Sequence, residues 1–461
     1  MINMKGLDCN NHFVPLFPFG APNQSTIIAK EKVVIKDKDD NALLSGNAEV
    51  HLDLLPRPRI RVHIINIESS DLEVVRLSER IWSGELFTLD LNNKKHVEGF
   101  ITSFRFSYNE NHSIIFSSSS EPIIGLGDDD TQMQYAVFHL FNFKETLVNN
   151  GNLSKHVHLE ADNWVVELKS LADDVFEKLR SEGGYGLTHV GCLRKKDDTP
   201  ISGKEVKEML YALEHFFSFA KGAWCNPVCA VGFNSSDRVW ESWSSPKVSG
   251  FSQLGSWFDG QHSEQLENLF PGFISKWNDA DWNDTLHKVI YWYLIANNSN
   301  IDAGIVLTQT ALERLYYQKL KENAKSKPKD PDRTSSKLNN LFCELNLPIE
   351  LIEENTPRLK KLADGINKYV DENIKEKKKK TKMVWNDAAS ALTGMRNYLV
   401  HPVNEYDSVS FGPAIYDANK MGLWYLELSL LKECGYSGIY YNRLTEKPIE
   451  NVEEVPCKSK L

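Results

Sequence analysis

Apolar and polar positions change their period along this chain. Up to about residue 155 the period is two. "RIRVHI" at 59–64 alternates polar and apolar residues, as a half-buried strand does. "EGFITSFRF" at 98–106 and "SIIFS" at 113–117 flank "SYNENH", which reads as a hairpin connection. "YAVFHLFNF" at 135–143 is aromatic-rich and strand-like. "PRP" at 56–58 and "GLGDDDT" at 125–131 punctuate these runs. Residues 156–275 are mixed. "HVHLEADNWVVEL" reads as strand, turn, strand, and "CAVGF" as a strand. Between them, residues 203–223 place Val206, Met209, Leu210, Leu213, Phe216 and Phe217 at helical spacing, with Gly222 as the stop.

From about 276 the period is helical. One helix spans 283–298 from Asn283, and another spans 300–322 with Ile301, Ile305, Leu312 and Leu315 on one face. "KPKDPDR" at 327–333 breaks the chain, and "SSKLNNLFCELNL" and "PRLKKLADGINKYVDEN" are shorter amphipathic segments. A helix over 386–400 has Asn386 or Asp387 as its cap and Ala388, Leu392, Met395 and Leu399 in a stripe. The last long helix, 412–435, closes at Gly435. The predicted fold is α+β and multidomain: a β-rich domain over 1–155, a mixed α/β domain over 156–275 and an all-helical bundle over 276–461.

The chain has 461 residues, and 41% are hydrophobic, a balance expected of a soluble globular protein. No apolar run approaches the roughly 18–20 residues of a membrane span, and "MINMKGLDCNNHF" lacks a signal-peptide core, so a cytoplasmic location with no membrane partner is expected. The net charge of −10 confines any RNA contact to a local basic patch. Seven scattered cysteines suggest reduced thiols. A zinc site at Cys225 and Cys229 would need two more ligands, with His189 and His215 as the upstream candidates. Two buried strand cysteines is the reading preferred. Trp224, Trp240, Trp243 and Trp257 mark either a substantial core or a recognition surface. Asp128–Asp130 reads as a solvated turn rather than a cation site. "GYGLTHVG" at 184–191 lacks the spacing of a phosphate loop. No cofactor is expected.

"RNYLVHP" at 396–402 carries the candidate chemistry. Taken loosely, an Arg followed by a His after four to six intervening residues is a poor signal, because Arg57 with His63 and Arg105 with His112 fit it too, in stretches read as strand. The 396–402 copy ends an amphipathic helix. Residues five apart on a helix point ~140° away from each other. Pro402 disfavours helical geometry at His401, so the helix should end there and free the imidazole. Asn397 adds an amide at the same end.

This stretch resembles the R-N-x-x-x-H motif of HEPN domains, helical bundles many of which are metal-independent ribonucleases. "LTQTALERLYY" at 307–317, with Glu313, resembles the family's second-helix signature, and "LLKECGYSGIYYNR" at 430–443 resembles the end of its ApeA-like, anti-phage branch. The motif-bearing resemblance covers about 280–445. It implies attack by the RNA's own 2′-hydroxyl, with His401 handling protons, Arg396 stabilising the phosphorane, and Asn397 and Glu313 in support. It also implies a homodimer with a composite site and abortive infection as the setting. The lysines of "KEKKKKTK" at 375–382, Lys377, Lys378, Lys379 and Lys380, are expected to bind the RNA backbone. The substrate, transfer RNA or another RNA, stays open. The N-terminal region, which has no catalytic constellation, is expected to sense a phage-derived activator. The rivals are an inactive HEPN-like adaptor and a ligand-binding protein acting through the N-terminal part.

Overall fold

The computed structural model describes residues 13–68, 77, 80–81, 83–91, 95–105, 112–119, 122–146, 156–171, 173–252, 254–322, 333–351, 353–374, 384–401, 410–445 and 452–456. The chain divides into two compact units. One takes in 1–146, 153–214 and 225–252; the other takes in 147–152, 215–224 and 253–461.

The first unit holds a closed barrel of strands β1 (Thr26–Lys36), β2 (Ala42–Asp53), β3 (Arg59–Glu68), β4 (Phe87–Leu91), β5 (Lys95–Arg105) and β6 (Ser113–Ser118). Their order around the barrel is β1-β2-β3-β6-β5-β4, with every neighbouring pair antiparallel. Period-two alternation sends Val50, Leu52, Val62, Ile64, Ile114 and Phe116 inward, where all are almost wholly buried. Side chains pack this interior, and the polar positions between them form the outer wall.

Strands β7 (Ile123–Leu126), β8 (Gln132–Met133), β9 (Tyr135–Phe141), β10 (His156–Ala161), β11 (Trp164–Ser170), β12 (Leu187–Lys195), β13 (Ile201–Ser202), β14 (Pro227–Asn234) and β15 (Asp237–Trp243) follow. Seven of them form one sheet in the order β10-β11-β12-β9-β14-β15-β7, and β8 pairs with β13. The sheet therefore draws strands from both sides of residue 155. Helix α1 (Asp173–Glu182) and the first part of α2 (Gly203–Lys221) belong to this unit. Barrel residues such as Val33 and Leu52 share one apolar cluster with Val137, Phe141, Val228 and Trp243 of the sheet. All seven residues of β9 are buried.

That strand carries a histidine in its core. His139 is fully buried; its Nε2 accepts from the Leu16 N–H at 3.1 Å and its Nδ1 donates to the Cys229 carbonyl at 3.1 Å. Cys225 and Cys229 are buried and form no disulfide, and the Cys225 thiol donates to the Phe141 carbonyl at 3.4 Å. Trp240 and Trp243 are core residues. Asp128 serves its own turn: Oδ1 accepts from the Asp130 N–H at 3.1 Å and from the Thr131 hydroxyl at 2.7 Å.

The second unit contains helices α3 (Glu264–Asn278), α4 (Asn283–Asn298), α5 (Ile301–Glu322), α6 (Thr334–Glu344), α7 (Pro357–Ile374), α8 (Ala388–Val400) and α9 (Gly412–Glu433). The 3.6-residue pattern located α4, α5, α8 and α9 nearly to the residue. The expectation of an all-helical region is corrected by a hairpin-like pair, β16 (Ile439–Tyr441) with β17 (Val452–Glu454). Helix α9 is buried along Met421–Leu431 and packs on α4, α5, α7 and α8. Trp257 lies in the core of this unit.

Within α9, Glu427 is fully buried. The Tyr293 hydroxyl donates to its Oε1 at 2.5 Å, and Arg443 grips both oxygens, with Nε 2.9 Å from Oε2. The rest of the guanidinium donates to Asn297 Oδ1 at 3.1 Å and to the Gly255 carbonyl at 3.0 Å. Burial works to lower the Arg443 pKa, but the facing Glu427 carboxylate outweighs it and raises it.

Candidate functional site

Helix α8 forms because its start is closed chemically. Asp387 Oδ1 accepts from the Ser390 N–H at 2.7 Å, and Ser390 Oγ receives the Asp387 N–H at 3.1 Å, a reciprocal capping box. Asp387→Ala is expected to cost about 1 kcal/mol of unfolding free energy, measured by urea denaturation; no change would show that packing alone holds this helix. Ala388, Leu392 and Met395 are buried, while Leu399 is only partly so. Gly394 faces Trp385, whose ring would lie 2.1 Å from any Cβ there, so only glycine allows this close seat.

The helix stops at Val400. His401 is extended (φ −101°, ψ 128°), and its N–H donates to the Asn397 carbonyl at 2.9 Å. This is the release that a following proline was expected to bring. His401 is exposed and Arg396 half-buried; the Arg396 guanidinium donates to Asn397 Oδ1 at 3.3 Å. Among the described residues, no ion pair binds Arg396 to a carboxylate, and no hydrogen bond joins it to His401. Glu313, on α5, instead accepts from Gln309 Nε2 at 3.0 Å in its own helix. The structure thus brings Arg396 and Asn397 together, leaves His401 open at the same helix end, and leaves Glu313 engaged elsewhere. Lys377–Lys380 lie outside the described residues.

A second polar cluster, which the sequence reading missed, sits on the outer wall of the barrel. Glu49, His51 and Asp53 alternate outward along β2, facing Arg59, Arg61 and His63 of β3. The His51 and His63 rings lie 4.1 Å apart. Asp53 Oδ2 is 3.3 Å from His63 Nε2 and 2.6 Å from Arg61 Nε, and Asp53 Oδ1 accepts from the Ser25 hydroxyl at 2.7 Å. Burial works to raise the Asp53 pKa, but hydrogen bonds from His63 and Ser25 and the Arg61 charge bring it down to about 2. His63 entered the sequence reading only as a surface or core residue of a sheet. The usable signal was the polar half of a period-two pattern repeated on two adjoining strands.

Family models match in two places: the YopA central domain over residues 128–254 and the YopA C-terminal domain over 279–455. The chain is also 30% identical over 344 residues to "SPbeta prophage-derived uncharacterized protein YopA" of Bacillus subtilis (strain 168), covering 71% of this chain and 72% of that protein. No solved structure matches. These matches overturn the expected membership of the HEPN family and its ApeA-like branch: the models that fit the motif-bearing region are those of YopA, and no HEPN family is detected.

Proposed function

From the premise that this chain belongs to the YopA family, we propose that its C-terminal unit is a metal-independent endoribonuclease acting through Arg396 and His401 in anti-phage defence. One observation carries this reading. In a chain of net charge −10, Arg396 has no carboxylate partner among the described residues, and it shares a helix end with an exposed histidine. An arginine fork free to meet phosphate oxygens, beside an imidazole suited to proton transfer near neutral pH, is the pairing that RNA cleavage requires.

In this reading a histidine takes the 2′-hydroxyl proton and the 2′-oxygen attacks phosphorus. A second acid protonates the departing 5′-oxygen, leaving a 2′,3′-cyclic phosphate. One motif histidine per chain makes a homodimer the natural form, with His401 of the partner subunit as the second proton carrier. The prophage origin printed in the name of the Bacillus subtilis relative fits a protein directed at competing phages.

Arg396→Ala and His401→Ala are each expected to slow RNA cleavage by about 10²–10⁴-fold with folding intact and EDTA present. Cleavage that survives either change, or that EDTA abolishes, would refute this mechanism. A second reading, a sensor acting through the N-terminal region, is favoured by the polar cluster on the barrel wall. Under that reading, substitutions there would abolish triggering in infected cells while leaving purified nuclease activity intact.

A further inference from the structure

We propose that His51, Asp53 and His63 form a binding site for a divalent transition-metal ion, with zinc the best-suited class, on the outer wall of the barrel. This goes beyond the RNA reading and does not depend on it.

Donor set and geometry carry the proposal. One nitrogen from each histidine and one carboxylate oxygen lie within 4.8 Å of one another. Two imidazoles and a carboxylate form a three-ligand zinc set with a fourth position left for water. Donors around a tetrahedral zinc stand about 3.3 Å apart, given metal–ligand distances near 2.0–2.1 Å. Rotation of the two half-buried histidines about the buried Asp53 carboxylate can close the difference. Their backbones are already fixed: His51 and Asp53 point the same way from alternate positions of β2, and His63 comes from the adjoining strand β3.

The hydrogen bonds around His51 fix which of its nitrogens a metal would use. Its Nε2 faces Glu49 Oε2 at 3.1 Å, and its Nδ1 faces Ser25 Oγ at 3.2 Å. Ser25 has one hydroxyl hydrogen, and that hydrogen goes to Asp53. The Glu49 carboxylate only accepts, so His51 Nε2 donates to it and Nδ1, on the Ser25 side, is the nitrogen left for a metal. In the proposed site the ion is bound by His51 Nδ1, His63 Nε2 and Asp53. Glu49 then holds the far nitrogen of His51, as an outer carboxylate commonly does for a zinc-bound histidine. Lys30, 2.8 Å from Glu49, anchors that carboxylate in turn. Arg61 must yield part of its hold on Asp53, and its partly exposed side chain can turn to water.

The test is titration of the full-length, metal-free chain with Co(II) and Zn(II), following cobalt absorption and the heat of zinc binding. We expect one ion per chain and the intense visible bands of tetrahedral cobalt. His51→Gln and His63→Gln should each weaken binding at least tenfold, and Glu49→Gln about tenfold as an outer-shell change. The proposal is overturned by the absence of saturable binding at one equivalent, by octahedral-only cobalt spectra, or by affinity unchanged in His63→Gln. If His63→Gln does not fold, His51→Gln, Glu49→Gln and the cobalt spectrum of the unaltered chain decide. RNA cleavage in EDTA is scored separately, so either idea can fail alone.

Discussion

Glu427→Ala is expected to lower the stability of the C-terminal unit by about 3–5 kcal/mol, because it leaves the Arg443 guanidinium charged in a dry interior. Glu427 is fully exchanged out of water and receives three donors, so its loss also strips the Tyr293 hydroxyl of its acceptor. Arg443→Ala should cost a similar amount for the converse reason. The charge-free pair Glu427→Leu with Arg443→Met should recover much of the loss, since the desolvation of both ions disappears with them. Urea unfolding of the three variants checks this, with Trp257 in the same unit as a fluorescence reporter. Single-variant losses below about 1 kcal/mol would mean that water reaches this cluster.

Acid should loosen the N-terminal unit at a pH where carboxylates do not yet titrate. Burial, with a smaller push from Arg238, outweighs the hydrogen bonds to Cys229 and Val228 and lowers the His139 pKa from its usual 6.5 to about 4. The folded chain thus holds this ring neutral where the unfolded chain would protonate it. His139 costs no stability above pH 6.5, and it withdraws about 3 kcal/mol as the pH falls from there to 4. His139→Gln, whose amide can both donate and accept, should flatten that slope in a series of urea melts between pH 7 and pH 4.5. An identical slope in both proteins would assign the acid sensitivity to other groups.

Much of this architecture was legible in the sequence wherever one physical rule dominated locally. Alternation marked β3, β5 and β6, and a Gly at positive φ closed α2 and followed α9, at Gly222 (φ 77°) and Gly435 (φ 70°). Asp387 was one of two cap candidates, and the structure selects it through Ser390. The hairpin of β10 and β11 was found because its turn residues, Asp162 and Asn163, separate an alternating run from an apolar one. What stayed hidden depends on contacts between distant residues. Barrel closure pairs β1 with β4, some fifty residues apart, and nothing local announces it. The same holds for Arg443, which read as part of a family tail and is instead the counter-ion of Glu427. At the candidate site, the exposed end of α8 was foreseen from Pro402. The hydrogen bond that Glu313 accepts from Gln309 was not. The HEPN resemblance failed for a related reason: three short stretches do not fix ancestry, and 177 residues matched to the YopA C-terminal domain outweigh them.

Strand β9 is closed in on both faces along its whole length. It therefore lacks the neutral side that most strands offer to mutation, since every position from Tyr135 to Phe141 meets packed neighbours. A library of random substitutions, selected for folded protein, should accept few changes over these seven positions, with conservative ones such as His139→Gln among them.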